Sequence, residues 1–378
     1  MPIGVLHVCD KFGVAGSSIH GVSRLFSWWF PRYDASRFEV SLCGLKRLEP
    51  ASRLLREQGI PVEHLDRGRF DPRILPDLVR LARRRGARIL HVHGYAAADF
   101  GRLAARQVGA ALVLHEHFAD PRMPVYQGWA DRLLARLTDR AIAVSGSTRD
   151  FLVRKRHVPA DRVRIIWNGA PLREFAPVEP DLARRVRAEL RIPEGVPVVG
   201  SVGRLNAQKG HRYLLDAAAR VLARHPDVRF LIAGDGDLES ALRRQAEDLG
   251  IAGQVVFAGH RSDVPAVLGA IDVFCISSIY EGTPLALFEA MASAKAIVST
   301  AVDGCRELLE DARSALLVPP QDVDALAEAL SRVVRDRGLR DSLAEAARAA
   351  SARYDVGECV RHIESLYEEA LEERAKGA

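Results

Sequence analysis

The sequence predicts an α/β protein made of two doubly wound, mostly parallel sheets in tandem. Three observations lead there: the length of the chain, the alternation of strand-like and helix-like segments along it, and a crowd of turn formers near its middle. At 378 residues the chain is too long for one ordinary domain and fits two α/β domains of about 150–190 residues each. Apolar residues make up 48% and charged residues 27%, enough apolar side chain for two cores and no compositional reason for disorder.

Short apolar runs rich in β-branched residues recur at 5–8, 40–45, 89–92, 111–114 and 141–144. The stretches between them, such as 77–85 and 100–108, space apolar residues three and four apart, the helical period. Such βαβ alternation favours a parallel sheet with helices on both faces. At Asn168, Gly169, Ala170 and Pro171, and on through Pro177, Pro180, Pro193 and Pro197, turn formers break the rhythm and mark the interdomain linker. Alternation restarts with runs at 196–202, 229–233, 255–258, 273–276, 296–299 and 315–318, after which 322–335, 339–353 and 357–374 read as helices. The expected division is an N-terminal domain over 1–172, a second over 173–355, and a C-terminal helix over 356–378 packing back on the first.

Composition also narrows the function. Met1-Pro2-Ile3-Gly4 runs straight into a strand pattern with no basic leader or cleavage site, and the longest apolar stretch, 284–302, contains Glu289 and Lys295. Neither a signal peptide nor a membrane-spanning helix of about 20 apolar residues is expected. The five cysteines, Cys9, Cys43, Cys275, Cys305 and Cys359, are odd in number and scattered, which argues for reduced thiols in the cytoplasm and against a disulfide framework or zinc site. The net charge of +5 gathers in Arg80 with Arg83-Arg84-Arg85, in Arg154-Lys155-Arg156 and in Arg184-Arg185-Arg187. Solvated helix faces account for such runs; the sharper alternative is peripheral attraction to anionic lipid on the inner face of a membrane, or to a phosphorylated substrate. No interleaved aromatics make them a nucleic-acid site. Trp28, Trp29 and Phe30 read as core, with contact to a membrane surface as the alternative.

The chemistry lies in loops that follow strands. The run at 196–202 ends in Gly203-Arg204-Leu205-Asn206-Ala207-Gln208-Lys209-Gly210, with a helical run from His211. Open α/β sheets bind ligands at the carboxyl ends of their strands, where a helix N-terminus adds donors and positive dipole. Arg204 and Lys209 therefore stand where an anion would bind, or else flank a surface turn. A diphosphate leaving a sugar gains charge as the glycosidic bond breaks, and fixed cations answer it. In Ser277-Ser278-Ile279-Tyr280-Glu281-Gly282-Thr283-Pro284-Leu285, Pro284 suits the first turn of a helix running through Glu289 and leaves Glu281 and Gly282 in the loop. Gly282 lets a ligand approach the backbone, and Glu281 can accept from sugar hydroxyls. Glu289, among Leu285, Leu287, Phe288 and Met291, needs partners such as the two hydroxyls of a ribose.

Glu281 and Glu289 form an E-x7-E element that resembles the GT-B glycosyltransferases of family 4, the large retaining group. The resemblance spans nearly the whole chain: Ser201-Val202-Gly203-Arg204-Leu205 with Lys209-Gly210, then Ala233-Gly234-Asp235-Gly236, Gly259-His260-Arg261 with Asp263-Val264, Ala270-Ile271-Asp272-Val273-Phe274, and Leu317-Val318-Pro319-Pro320 occur in the family's order. It implies two Rossmann-like domains facing across a cleft, a nucleotide-sugar co-substrate, and neither cofactor nor metal. It implies Arg204 and Lys209 on the diphosphate, Glu289 on the ribose, Glu281 on the transferred sugar, and His260 and Arg261 near the base, with Gly203, Gly234, Gly282, Thr283, Pro284 and Leu285 completing the donor site. One departure is Asp303-Gly304-Cys305-Arg306-Glu307, where members often carry Gly-Gly-x-x-Glu.

In the first half, Gly13-Val14-Ala15-Gly16-Ser17-Ser18 follows the first strand. It is no G-x-G-x-x-G fingerprint, and an ordinary strand-to-helix turn is the alternative to the donor-closing loop that the resemblance implies for Gly13 and Gly16. The run at 111–114 continues into His115-Glu116-His117-Phe118, where alternation puts both histidines on one face and Glu116 on the other. A His-x-His pair can ligate metal, but no further Cys, His or Asp cluster is visible to complete a site. The resemblance makes His117 the histidine that touches the donor sugar, with His115 as the alternative. Asn168-Gly169 resembles the family's crossover element and Val144-Ser145-Gly146-Ser147 its Val-Ser element.

The expected function is transfer of a hexose or hexosamine, with retention, from a UDP-sugar in preference to GDP-mannose. The acceptor would be a saccharide, a lipid-linked sugar or a small molecule in cell-envelope or glycoconjugate synthesis. A nucleotide-sugar epimerase of the same fold and a non-catalytic membrane-associated scaffold are the rivals.

Overall fold

The computed structural model describes residues 1–13, 21–47 and 50–376; Gly16 lies outside them. In chain order the elements are β1 (Ile3–Cys9), α1 (Gly21–Trp29), β2 (Phe38–Gly44), α2 (Pro50–Glu57), β3 (Val62–His64), α3 (Ile74–Arg84), β4 (Ala87–His93), α4 (Tyr95–Val108), β5 (Ala111–Glu116), α5 (Val125–Leu134), β6 (Arg140–Ala143), α6 (Gly146–Arg154) and β7 (Val163–Ile165). There follow α7 (Pro180–Glu189), β8 (Val198–Val202), α8 (His211–Arg224), β9 (Arg229–Ala233), α9 (Glu239–Asp248), β10 (Val255–Gly259), α10 (Val264–Gly269), β11 (Val273–Ile276), α11 (Leu285–Ala292), β12 (Ala296–Thr300), α12 (Asp303–Leu308), β13 (Leu316–Val318), α13 (Val323–Arg335), α14 (Arg337–Ser351) and α15 (Val356–Lys376). The chain divides into two compact units, 1–168 with 356–378, and 169–355. The units part at Asn168/Gly169, within the expected linker and four residues before the expected boundary after 172.

In the first unit the sheet order is β3-β2-β1-β4-β5-β6-β7, all parallel. Helices cover both faces, so the central strands are apolar almost throughout, as parallel strands buried on two sides must be. Leu6, Val8, Leu90, Val92, Leu112 and Leu114 meet Leu78, Ala97 and Ala104 of α3 and α4 in one core. The helix α15 belongs to this unit: Tyr367 is fully buried against Tyr33 and Phe38, and Arg140 pairs with Glu373. Trp28, Trp29 and Phe30 are 7%, 0% and 7% exposed, which makes them core and removes them as a membrane contact.

In the second unit the order is β10-β9-β8-β11-β12-β13, again parallel. Its core joins Leu214, Leu215 and Val221 of α8 to Phe230, Val273, Val298, Leu330 and Val333. In both sheets the chain starts in the middle, builds one edge, and returns to build the other. The order reverses between β1 and β4 and between β8 and β11, the positions at which open α/β sheets bind ligands.

Every strand run read from the sequence is present. Two strands were not foreseen, β3 and β7, which form the edges of the first sheet. Each has three residues, with Glu63 or Arg164 at the centre, too short and too polar to show a period-two signal. All five cysteines are free and buried. Among the described residues no helix is long and apolar enough to cross a membrane.

Candidate functional site

At the reversal point of the second sheet, the loop after β8 meets the loop after β11. The Ile279 N–H donates to the Gln208 carbonyl at 2.8 Å, and Ser277 Oγ donates to the Lys209 carbonyl at 2.9 Å. Asn206 caps the short turn 207–209, its side chain accepting from the Lys209 N–H at 3.2 Å. These bonds fix Lys209 at the mouth of α8, and its ammonium lies 2.5 Å from Glu281 Oε1. Ser278 Oγ donates to the same carboxylate oxygen at 2.7 Å, and Gln208 Nε2 reaches Oε2 at 3.4 Å. The Lys209 side chain is 24% exposed and that of Glu281 6%, so the pair is held from one side and open to a ligand on the other.

Arg204 lies in the same loop, half-buried, and its guanidinium makes no hydrogen bond or ion pair among the described residues. Two cations and one carboxylate at the carboxyl end of a parallel sheet make an anion-binding arrangement. The backbone is tailored to it. A Cβ on Gly234, whose φ is +147°, would lie 1.9 Å from the Gly203 carbonyl. A Cβ on Gly304 would lie 1.6 Å from the Gly282 carbonyl, so the turn that opens α12 seats directly under the Glu281–Gly282 loop. Asp303 itself is exposed.

Pro284 is the residue before α11, with φ −71° and ψ 120°, and Leu285 opens the helix. Gly282, Thr283 and Pro284 are buried, Leu285 is half-buried, and Glu289 on the following turn is 0% exposed. Arg261 is bound up with Asp263 and Glu189, and these carboxylates raise the basicity of its guanidinium; His260 is exposed beside it. The structure thus gathers Arg204, Lys209, Glu281, Gly282, Gly203 and Gly234, and leaves Arg261 in a surface ion-pair cluster. A recess of about 420 Å³ lined by Pro177, Arg184, Arg187, Pro265 and Lys295 shares no residue with this site.

In the first unit the structure builds something the sequence reading missed. His115 and His117 do share a face, their rings stacked at 4.4 Å. The register of the sheet adds His7 of β1 opposite His91, and His93 opposite His115. The five imidazoles and two tyrosines form a continuous hydrogen-bonded ladder. His117 Nε2 lies 3.0 Å from His93 Nδ1, His93 Nε2 3.1 Å from His7 Nδ1, and His7 Nε2 3.2 Å from Tyr367 Oη. Tyr367 Oη is 2.6 Å from His91 Nδ1, His91 Nε2 is 3.2 Å from His115 Nδ1, and Tyr33 Oη lies 3.3 Å from His7 Nε2. Burial holds His7 at about 3, and burial followed by the neighbouring rings holds His91, His93 and His115 well below the ordinary value. They are neutral at physiological pH.

The absence of a third ligand, on which the sequence reading discounted metal, is therefore corrected: His93 joins His115 and His117, and His7, His91 and His93 make a second group, each set with ligand nitrogens within 4.8 Å of one another. The His-x-His spacing of His115 and His117 recurs at His91-Val92-His93 and is the signal that could have found them; what the sequence does not show is that these two strands adjoin and that β1 brings His7 beside them. His117, at the end of β5, is half-buried, and Gly13 is buried after β1.

The opposite face of β5 corrects another expectation. Arg156, read as part of a solvated basic run, is 0% exposed. Its guanidinium reaches Glu116 at 2.7 Å and Asp131 at 2.9 Å, and Asp131 also takes Arg102 at 2.6 Å. Burial raises the Asp131 carboxyl, but the two guanidiniums outweigh it and hold the group below its ordinary range. The run around Arg80 does lie on an exposed face, where Arg80 pairs with Asp77 and Arg84 and Arg85 with Glu63.

Residues 28–174 match the glycosyltransferase family 4 description and residues 183–350 that of glycosyl transferases group 1. The α-D-kanosaminyltransferase of Streptomyces kanamyceticus is 30% identical over 318 residues, covering 78% of this chain and 81% of that one. The UDP-Gal:α-D-GlcNAc-diphosphoundecaprenol α-1,3-galactosyltransferase of Escherichia coli is 28% identical over 281 residues, 71% and 72% of the two chains. Among solved structures, Anabaena HepE in complex with UDP and glucose superposes with a TM-score of 0.83 at 23% identity, over 96% of this chain and 98% of that one; the glycosyltransferase of Rickettsia africae does so at 0.83 and 18%, over 98% and 99%. With both halves matched in order, and the Lys209–Glu281 ion pair at the reversal point of the second sheet, this chain belongs to the GT-B glycosyltransferases of family 4.

Proposed function

We propose that the protein moves a hexose or hexosamine from a UDP-sugar to a hydroxyl of a saccharide, lipid-linked or small-molecule acceptor, with retention at the anomeric carbon and without a metal ion. The observation that carries this reading is the Lys209–Glu281 pair at 2.5 Å with Arg204 in the same loop. Arg204 and Lys209 take the diphosphate, Glu281 accepts from hydroxyls of the transferred sugar, and Glu289 receives the ribose. His117 is the first unit's contribution to sugar recognition. The exposed His260 fits a place near the base, with Arg261 released from its ion pairs only on binding.

In the proposed step the bond from the anomeric carbon to the diphosphate oxygen breaks while the acceptor oxygen bonds to that carbon on the same face. The acceptor's proton passes to the departing phosphate oxygen. The protein then works by position and charge: cations already held in place stabilise the growing negative charge without reorganising at the moment of reaction. UDP is favoured because the Escherichia coli relative is named for UDP-Gal, and a lipid-linked acceptor because that relative's acceptor is a diphosphoundecaprenol-linked sugar. Buried reduced thiols fit work in the cytoplasm.

Thermal shift of the purified chain with UDP, GDP and ADP, followed by hydrolysis of a panel of nucleotide sugars, tests the proposal. UDP at a hundredfold its dissociation constant adds about 2.7 kcal/mol, and hydrolysis proceeds unchanged in a chelator. No stabilisation by any nucleotide overturns the reading. Epimerised sugar formed from donor alone replaces it with the epimerase.

A further inference from the structure

The helix α5 is inside out. Two of its three polar side chains face the protein, Arg132 alone being exposed: Gln127 and Asp131 are 0% exposed, Asp131 held by Arg102 and Arg156, and Gln127 Nε2 donating to Asp99 at 3.1 Å. Its apolar residues face solvent. Val125, Trp129 and Leu133, at i, i+4 and i+8, are 80%, 64% and 80% exposed, and Tyr126 is 43% exposed. Phe70, 66% exposed, extends the stripe, its ring 5.4 Å from that of Tyr126. Apart from Met1, every large hydrophobic residue more than 60% exposed among the described residues lies in this patch. The buried ion pairs pin the helix, so it cannot roll to hide the stripe without stranding Asp131.

The patch is framed by cations. Between 118 and 137 every exposed charged side chain is an arginine: Arg122, Arg132 and Arg136. The segment's carboxylates are Asp131, buried, and Asp120, half-buried and engaged by the Tyr95 hydroxyl at 3.0 Å and the Arg122 N–H at 2.8 Å. Arg132 lies over Trp129 at 5.8 Å, and Arg69 lies 5.6 Å from Phe70 and 5.9 Å from Tyr126.

We propose that this face of α5 docks on the surface of a bilayer rich in anionic lipid, the helix lying in the interface plane. The apolar stripe enters the headgroup–acyl boundary, Trp129 and Tyr126 sit at headgroup depth where amphipathic rings are favoured, and the arginines meet lipid phosphates. A second copy is the poorer occupant. An isologous contact through the stripe would bring the arginines of both copies together with no exposed carboxylate in the segment to pair them. Docking here supplies the peripheral membrane contact that a lipid-linked acceptor calls for, at a site other than Trp28–Phe30.

The test is flotation of the full chain with vesicles of phosphatidylcholine, with and without phosphatidylglycerol. Of the four tryptophans, Trp129 is the exposed one, so its emission reports insertion directly. The expected result is binding to anionic vesicles that is about tenfold stronger than to neutral ones and falls with salt, with a blue shift of tryptophan emission. Trp129→Ser with Leu133→Ser, and separately Arg132→Glu with Arg136→Glu, lose about tenfold or more of that binding at an unchanged melting temperature. Undiminished binding by both double variants, no binding to anionic vesicles, or a vesicle-free dimer that Trp129→Ser with Leu133→Ser dissociates would overturn it. Vesicle binding needs neither donor nor acceptor, so its loss leaves the transferase reading standing.

Discussion

The carboxyl ends of the two sheets occupy equivalent places in the same topology, yet they carry opposite kinds of polar chemistry. In the second unit the polar groups sit in loops beyond the strands and pair with each other: Lys209 and Glu281 lie 2.5 Å apart, with Arg204 in the same loop as Lys209. In the first unit they sit in the strands themselves, and His7, His91, His93 and His115 are buried and neutral. Loops can keep a charge half in water, whereas a central parallel strand cannot, so a group placed there must either lose its charge or find a counterion. Glu116 and Arg156 on the other face of β5 take the second course. In the first unit polar groups hold the scaffold together; in the second they join two loops beyond the strands.

The sharpest way to break this contrast is through Arg156. Arg156→Met leaves Glu116 and Asp131 buried with a counterion lost, and about 3–5 kcal/mol of stability should go with it, measured by urea unfolding; a loss under about 1 kcal/mol would mean that the cluster is wetter than its burial says. Lys209→Ala should act chiefly on turnover. Turnover with the preferred donor falls about 10²–10³-fold, equivalent to about 2.7–4 kcal/mol, while the unfolding free energy falls by about 1–3 kcal/mol, the buried Glu281 keeping Ser278 and Gln208 as partners; unchanged turnover removes Lys209 from the proposed diphosphate site.

Acid should separate the units next. His7 faces Tyr33, Tyr367, His91 and His93 with Phe26 and Phe30 around it, and no carboxylate is among these neighbours. Its folded value of about 3 lies below that of the unfolded chain, so the unfolded state binds more protons in between. Its contribution is intact above pH 6.5 and is lost as the pH falls toward 3, about 2 kcal/mol being gone at pH 5 from His7 alone. Stability measured from pH 7 to 5 should fall steeply, and His7→Phe should flatten the slope; a flat wild-type profile would count against neutral burial. The smallest effect belongs to the exposed ion pairs: Arg84→Ala should change stability by about 0.5 kcal/mol or less, within the range of surface pairs.

How much was legible in the sequence follows the range of the interaction involved. Most strands of both sheets announced themselves because a buried parallel strand is a mostly apolar run, and the edges β3 and β7 did not because three residues carry no period. The loops holding Lys209 and Glu281 could be found from their own residues, since a turn after a strand and a proline before a helix are local signals. The ladder could not. His7, His91 and His115 are separated in sequence by whole βα units, and only the strand order β1-β4-β5 makes them neighbours. Arg154, Lys155 and Arg156 look alike in sequence, yet Arg156 alone of the three is buried, because it follows α6 and turns toward the carboxylates of β5 and α5.

The sequence by itself determined the two sheets, their helices, the linker region and the loops that hold Arg204, Lys209 and Glu281, all of which depend on contacts a few residues apart. Tertiary structure decided which strands adjoin, and with that the histidine ladder, the burial of Arg156 and the outward turn of α5. Those outcomes rest on counterions and ring partners brought from distant positions, and burying or exposing a side chain is settled by the groups that surround it rather than by the residues beside it in the chain.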